Sequence, residues 1–380
     1  MDVYETLREI LDAHPSGAPK SKAFDEILRF LFTPEEAELA VHMSFTPRPV
    51  EDIASAAGIS INEAEYLLEF MADKAVIFSR EKGGTLFYSL LPTIPGLFEY
   101  PLMRGKGTPL HERLGKLWTK YRKDGLGESF AGNPTPLARV VPVGQAIDAT
   151  ITIHPYEEVT TLIEKAEYIA LARCACRVSV GACHAPGEVC LFFDGPARFL
   201  VERRYAREIS REEAQHVLNQ AEEAGLVHTS SNSADRPSFI CNCCPCCCII
   251  LTCRTRLNLV QGFATSGFQP QVDNNTCTGC GICVDERCPM HALEIKNALA
   301  VVDIDRCIGC GLCVSACPAS AMILVRRSEL PDIPATRDDL GLKVLTEKGK
   351  LERFLKFNKR KKIFINDEIM LDLFNEIRYE

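Results

Sequence analysis

The chain lacks the usual marks of a membrane protein, a secreted protein or a nucleotide enzyme. No window reaches the roughly 18 consecutive apolar residues of a membrane span. The start, MDVYETLREI, carries acidic residues and no basic stretch leading into an apolar run. It does not read as a secretory leader and predicts a cytoplasmic protein. No G-x-G-x-x-G follows a predicted strand and no G-x4-G-K-[ST] occurs, so no nicotinamide, flavin or ATP site is visible. Cysteine is missing from the first 173 residues and from the last 63.

All 19 cysteines of the 380 residues therefore lie between Cys174 and Cys317. Thiols in a reducing compartment are not held as disulfides, and the number is odd, so thiolates at this density point to metal. Hydrophobic residues at 46% and charged residues at 25% are those of a folded globular chain. The length predicts two or three domains. A net charge of -8 argues against a general nucleic-acid surface and suits docking to a basic partner.

The patterning predicts an α+β, multidomain chain. Residues 1–92 read as helices followed by a hairpin, a winged-helix-like domain. Thr33 with Glu36 forms a capping signature, Gly58 sits at a turn between two short helices, and Gly83-Gly84 joins two strands. Such a fold often binds DNA, yet the second helix carries Glu63, Glu65, Glu69 and Asp73 against Lys74 alone. Acid repels phosphate, so protein docking or homodimerisation is the preferred role for this domain.

Residues 93–150 are expected to form a connector around one amphipathic stretch bearing Trp118, read as a packing residue. Residues 151–265 alternate helices and strands, a cysteine-rich α/β domain with cysteines at strand ends and a capping box at Ser210 and Glu213. Residues 329–380 read as a solvated helical tail with a basic run.

Between 271 and 328 a repeat appears. CTGCGICVDERCP contains Cys277, Cys280, Cys283 and Cys288; CIGCGLCVSACP contains Cys307, Cys310, Cys313 and Cys317. Two residues between sulfurs let a tight loop present three consecutive thiolates, and a fourth must come from elsewhere. Gly279, Gly281, Gly309 and Gly311 lie between the cysteines, where a side chain would obstruct the turning backbone. The first copy has one extra residue before Cys288, which predicts a longer loop there.

This segment resembles a bacterial-type ferredoxin domain with two [4Fe-4S] clusters. The resemblance implies that Cys277, Cys280, Cys283 and Cys317 hold one cluster, and Cys307, Cys310, Cys313 and Cys288 the other. It also implies one-electron transfer.

Two further runs precede it: Cys174, Cys176, Cys183 and Cys190, then Cys241, Cys243, Cys244, Cys246, Cys247 and Cys248, with Cys253 beyond. Their spacing is not that of a ferredoxin. They loosely resemble cysteine-rich modules placed before dicluster domains in oxidoreductase-associated proteins of anaerobes. Adjacent cysteines such as Cys243 and Cys244 point in different directions, so two clusters, one enlarged cluster or some inert core cysteines all remain open. Arg173, Arg177, Arg254 and Arg256 border the runs and could offset thiolate charge; His184 and His228 admit zinc as the rival to iron.

The expectation is an electron-transfer component of an oxidoreductase rather than a complete enzyme. It would relay electrons among two [4Fe-4S] clusters, an additional iron–sulfur cluster and a redox partner protein. The alternative is an iron–sulfur redox-sensing transcription regulator using the winged helix.

Overall fold

The computed structural model describes residues 2–105, 109–146 and 158–358. Five helices open the chain: α1 (Val3–Asp12), α2 (Lys22–Leu31), α3 (Pro34–Ala40), α4 (Val50–Ala57) and α5 (Ile61–Asp73). Their starts are set by side-chain caps, with Asp2, Ser21, Thr33 and Ser60 each accepting from a first-turn amide. At Thr33 the cap is reciprocal: Thr33 Oγ1 accepts from the Glu36 amide at 3.2 Å, and the Glu36 carboxylate from the Thr33 amide at 2.7 Å. The left-handed Gly58 (φ 71°) ends α4.

A short strand, β1 (Arg48–Pro49), pairs with β3 (Thr85–Leu90), which pairs with β2 (Ile77–Lys82). Lys82 faces Thr85, so Gly83 and Gly84, both at positive φ, make the two-residue hairpin turn expected from the sequence.

The stretch expected to be a connector is structural instead. Its helix α6 (Pro109–Tyr121) packs between α2 and the later helix at Ala175–Val180. Trp118 and Tyr121 are fully buried against Phe24. After α7 (Gly127–Ala131) the chain forms β4 (Ala138–Val141), an edge strand of the central sheet. Proline and glycine around a four-residue strand with three apolar residues look like a linker, because the partner strand that stabilises it lies some ninety residues away.

The central unit continues through α8 (Val159–Glu164), β5 (Ile169–Arg173), α9 (Ala175–Val180), β6 (Glu188–Phe193), α10 (Asp194–Glu202), β7 (Ala206–Glu208), α11 (Arg211–Glu223), β8 (Val227–Ser231), β9 (Phe239–Cys243) and α12 (Leu251–Leu257). Its six strands run in the order β4-β8-β9-β6-β5-β7, and every pairing is antiparallel. The expected α/β alternation is thus no parallel crossover fold: β5 and β6 pair antiparallel although α9 joins them, and β8 and β9 pair antiparallel across a loop.

The repeat region is two small ribbons, β10 (Phe268–Val272) with β13 (Met322–Arg326) and β11 (Leu293–Lys296) with β12 (Leu299–Val302), plus the short helix α13 (Leu312–Ser315). Then come α14 (Arg337–Glu347) and α15 (Leu351–Phe357). These correct the expectation of a solvated tail. Leu340, Val344 and Leu345 are buried, and the Glu347 carboxylate accepts from the Thr135 amide at 3.0 Å and from its hydroxyl at 2.6 Å. Lys350 Nζ and Arg353 reach Asp12. The basic run after Asn358 lies outside the described residues. One apolar core extends from Tyr4 to Leu324, and a second, smaller cluster of Cys283, Leu293, Ala300, Cys313 and Met322 lies within the repeat region.

Candidate metal centres

The ferredoxin-like repeat is a repeat in backbone detail. Cys277 and Cys307 donate their amides to Asp273 O and Asp303 O; the amides of Ala292 and Ala321 donate to Cys288 Sγ at 3.2 Å and Cys317 Sγ at 3.3 Å. The extra residue of the first copy is absorbed as one π-helical turn, Cys283–Arg287, where the second copy has α13. Arg287 on that turn donates to the last carbonyls of α11, Glu222 O at 3.2 Å and Glu223 O at 2.7 Å.

Two cavities of nearly equal size result, about 340 and 350 Å³. Cys277, Cys280, Cys283 and Cys317 line the first; Cys288, Cys307, Cys310 and Cys313 line the second. Each thus draws three cysteines from one copy and one from the other. Equal volume and equal thiol number suit the same kind of group at both. Gly279 and Gly309 have φ of 64° and 69°, and a Cβ on either would collide with a carbonyl of the neighbouring chain, Ala298 O or Phe268 O. What these glycines keep clear is the close approach of backbone. The first cavity opens to solvent at the exposed Cys280, while Cys307, Cys310 and Cys313 are buried.

The central cysteines separate into two groups and one outlier. Cys241 and Cys243 lie at alternate positions of β9 and so share a face of the sheet; the β6–β9 register continues to place Cys190 beside Cys241. Cys190 and Cys241 lie inside strands rather than at the expected strand ends, whereas Cys243 is the last residue of β9 and Cys174 directly follows β5. Around them the sulfurs form a closed ring: Cys174 neighbours Cys176 and Cys190, Cys248 neighbours Cys176 and Cys243, and Cys241 neighbours Cys190 and Cys243. Hydrogen bonds from Cys176 and Cys190 hold the Cys174 thiol well below its usual range, with Arg177 adding to the effect. Cys176 and Cys190 are pushed up through those same bonds and through burial.

Two guanidinium groups meet this ring. Arg177, 6% exposed, donates to Asn242 O at 3.1 and 2.9 Å and lies beside Cys174; Arg122, 5% exposed, lies near Cys253, Cys176 and Cys248 and binds Thr252 Oγ1. The Nε of each is buried without a partner. Among the described residues neither is paired with a carboxylate, so the charge that balances them must come from the sulfurs and whatever they bind. Arg122 and Glu99, whose carboxyl burial pushes up to about 8 with the sulfurs of Cys248 and Cys174 nearby, carried no signal in the sequence, since they lie far from any cysteine run. Arg173 pairs with Glu188, Arg254 reaches Asp305 O at 2.7 Å and Arg256 is exposed, so of the four flanking arginines only Arg177 faces the ring.

The second group is Cys183, Cys244, Cys246 and Cys247, whose four sulfurs all lie within 4.8 Å of one another. Cys183 comes from the loop between α9 and β6, and the others from the turn after β9. The turn resolves the problem of adjacent cysteines: Cys243 and Cys248 face the ring, and Cys244, Cys246 and Cys247 the tetrad. His184 is exposed and His228 is held by Asn242, so neither joins the tetrad. Cys253 donates to Ile249 O at 3.2 Å inside the core, where burial pushes its thiol up to about 12.

Among the described residues no helix is long and apolar enough to cross a membrane. The chain matches none of the curated proteins with which it was compared. Residues 269–318, the segment carrying both four-cysteine cavities, match the family model of the 4Fe-4S dicluster domain.

Proposed function

We propose that the chain is an electron-transfer component of an oxidoreductase, relaying single electrons between a redox partner protein, two [4Fe-4S] clusters and a third metal centre in the central unit. Cys277, Cys280, Cys283 and Cys317 hold the outer cluster, and Cys288, Cys307, Cys310 and Cys313 the inner one. Clusters with every iron bound by cysteine carry electrons rather than perform bond chemistry, over potentials of roughly -700 to +450 mV. The third centre is an iron–sulfur cluster on the ring of Cys174, Cys176, Cys190, Cys241, Cys243 and Cys248. Six thiolates exceed the four of a zinc site, and Arg122 and Arg177 supply the countercharge.

The observation that carries this reading is the placement of the inner cavity against the central unit. Val143 donates its amide to Cys310 O at 3.0 Å, and Arg254, on the helix that follows Cys248, reaches Asp305 just before Cys307. The outer cavity meets solvent at Cys280, where a partner can dock. The order partner, outer cluster, inner cluster, third centre follows.

The N-terminal unit is read as a winged-helix-like docking module. The acidic α5 is turned to intramolecular use: Glu69 and Asp73 pair with Arg203 at 2.8 and 2.7 Å.

Iron and acid-labile sulfide counting on anaerobically purified protein tests the proposal. About twelve irons per chain are expected, eight from the ferredoxin-like region and the rest from the ring. A count of about eight would remove the third centre, and a colourless protein would remove the whole reading.

A further inference from the structure

The two kinds of four-cysteine group differ in size, and the difference bears on what each binds. A single tetrahedral ion with metal–sulfur bonds of about 2.3 Å sets its four sulfurs about 3.8 Å apart. In the tetrad, Cys183 lies 3.8 Å from Cys244 and 3.8 Å from Cys247, and Cys246 lies 3.8 Å from Cys247. Thiolates bound to four separate irons of a cube stand much further apart, because the irons and sulfides fill the space between them. The ferredoxin-like region provides the internal comparison: among the described residues, no group of its cysteines is packed within 4.8 Å as the tetrad is.

The backbone around the tetrad is arranged for thiolates. The amide of Ala185 is directed at Cys183 Sγ, that of Cys247 at Cys244 Sγ, and that of Ala182 at Cys247 Sγ. Amide donors to sulfur stabilise the charged ligand form. Cys244 and Cys247 are buried, and Cys183 and Cys246 are half-buried.

We propose that Cys183, Cys244, Cys246 and Cys247 hold one tetrahedrally bound metal ion, zinc or iron, and no inorganic sulfide. The ion is a clamp. It fastens the loop 181–187, where Gly181, Ala182, His184, Pro186 and Gly187 are exposed, to the turn 244–247. That turn also delivers Cys243 and Cys248 to the six-cysteine ring, so the clamp holds the ring's ligands in place.

The test is metal and sulfide analysis of the full chain beside its Cys183→Ser/Cys246→Ser variant, purified without oxygen. The variant should lose one metal ion per chain with its acid-labile sulfide unchanged, and hydrogen exchange in 181–187 should rise at least tenfold. Loss of about four irons together with about four sulfides would show a cube at the tetrad and overturn the proposal. Unchanged metal content would overturn it as well.

Should the variant fail to fold, X-ray absorption on the unaltered protein decides. Where the ion is zinc, the zinc edge should show four sulfurs at about 2.3 Å and no metal neighbour. Where zinc is absent, an iron count exceeding sulfide by one supports a single iron, and equal counts sink the idea. A chain free of iron and sulfide but holding one zinc would end the electron-transfer reading and leave this one standing.

Discussion

Two glycines with nearly the same backbone angle separate conformational strain from close packing. Gly83 at φ 61° has nothing within 4 Å of a would-be Cβ, whereas Gly309 at φ 69° has Phe268 O and Ser266 Oγ in the way. Gly83→Ala should cost about 1 kcal/mol, the strain of a left-handed alanine. Gly309→Ala should cost at least about 3 kcal/mol, since β10 must also move, and should lower iron content at the inner cavity; thermal melts and iron counts on both variants check this. The second residue-scale prediction concerns Arg177. A unit charge about 6 Å from a redox centre at an effective dielectric near 20 shifts its potential by on the order of 100 mV. Arg177→Met should therefore make the central centre harder to reduce by about that amount in a spectroelectrochemical titration, while the two ferredoxin-type signals stay in place.

Helix starts and strand pairs carry the next set of expectations. The two capping sequences look alike but differ in the fold, because the Glu213 carboxylate is drawn to Arg207 while that of Glu36 completes the box at Thr33. Thr33→Ala should destabilise by about 1–2 kcal/mol and Ser210→Ala by about 0.5–1 kcal/mol, read as faster hydrogen exchange in the first turns of α3 and α11. On β8, His228 is 2% exposed and its Nδ1–H donates to Asn242 Oδ1 at 2.5 Å on β9. Burial holds its pKa at about 4 against 6.5 for the unfolded chain, with the Asn242 bond opposing. Between those values the unfolded chain binds the extra proton, so His228's stabilisation is complete above pH 6.5 and is lost as pH falls towards 4. The loss approaches about 3 kcal/mol, and His228→Gln should flatten the difference between urea midpoints at pH 7 and pH 5.

At the scale of the whole molecule, α14 and α15 close the structure by bridging segments that are distant in sequence. Glu347 gathers Asn133 and both polar groups of Thr135, and Lys348 Nζ reaches Pro15 O at 2.6 Å and Ser129 O at 2.5 Å. Glu347→Ala strands these donors and should cost about 2–3 kcal/mol, with new proteolytic cleavage between residues 130 and 137 as the readout. The inner four-cysteine cavity is held against the central unit by Val143 and Arg254, and the outer one reaches the surface at Cys280. A partner that exchanges electrons with the chain should therefore be slowed by substitutions around Cys280 and be indifferent to those on α5.

The sequence alone determined whatever depends on short spacing. C-x2-C-x2-C runs, the Gly83-Gly84 turn and the Thr33 cap are local, and local geometry is written in residues a few positions apart. The extra residue before Cys288 announced a longer loop for the same reason. The sorting of the central cysteines was decided only by tertiary structure. Cys174, Cys190 and Cys241 come together because β5, β6 and β9 are neighbours, and the chain alternates between ring and tetrad within Cys243–Cys248 because one turn packs against two surfaces. Arg122 and Glu99 reach the ring, and β4 and α14 join the core, through contacts between residues far apart in sequence, which no reading of neighbouring residues contains.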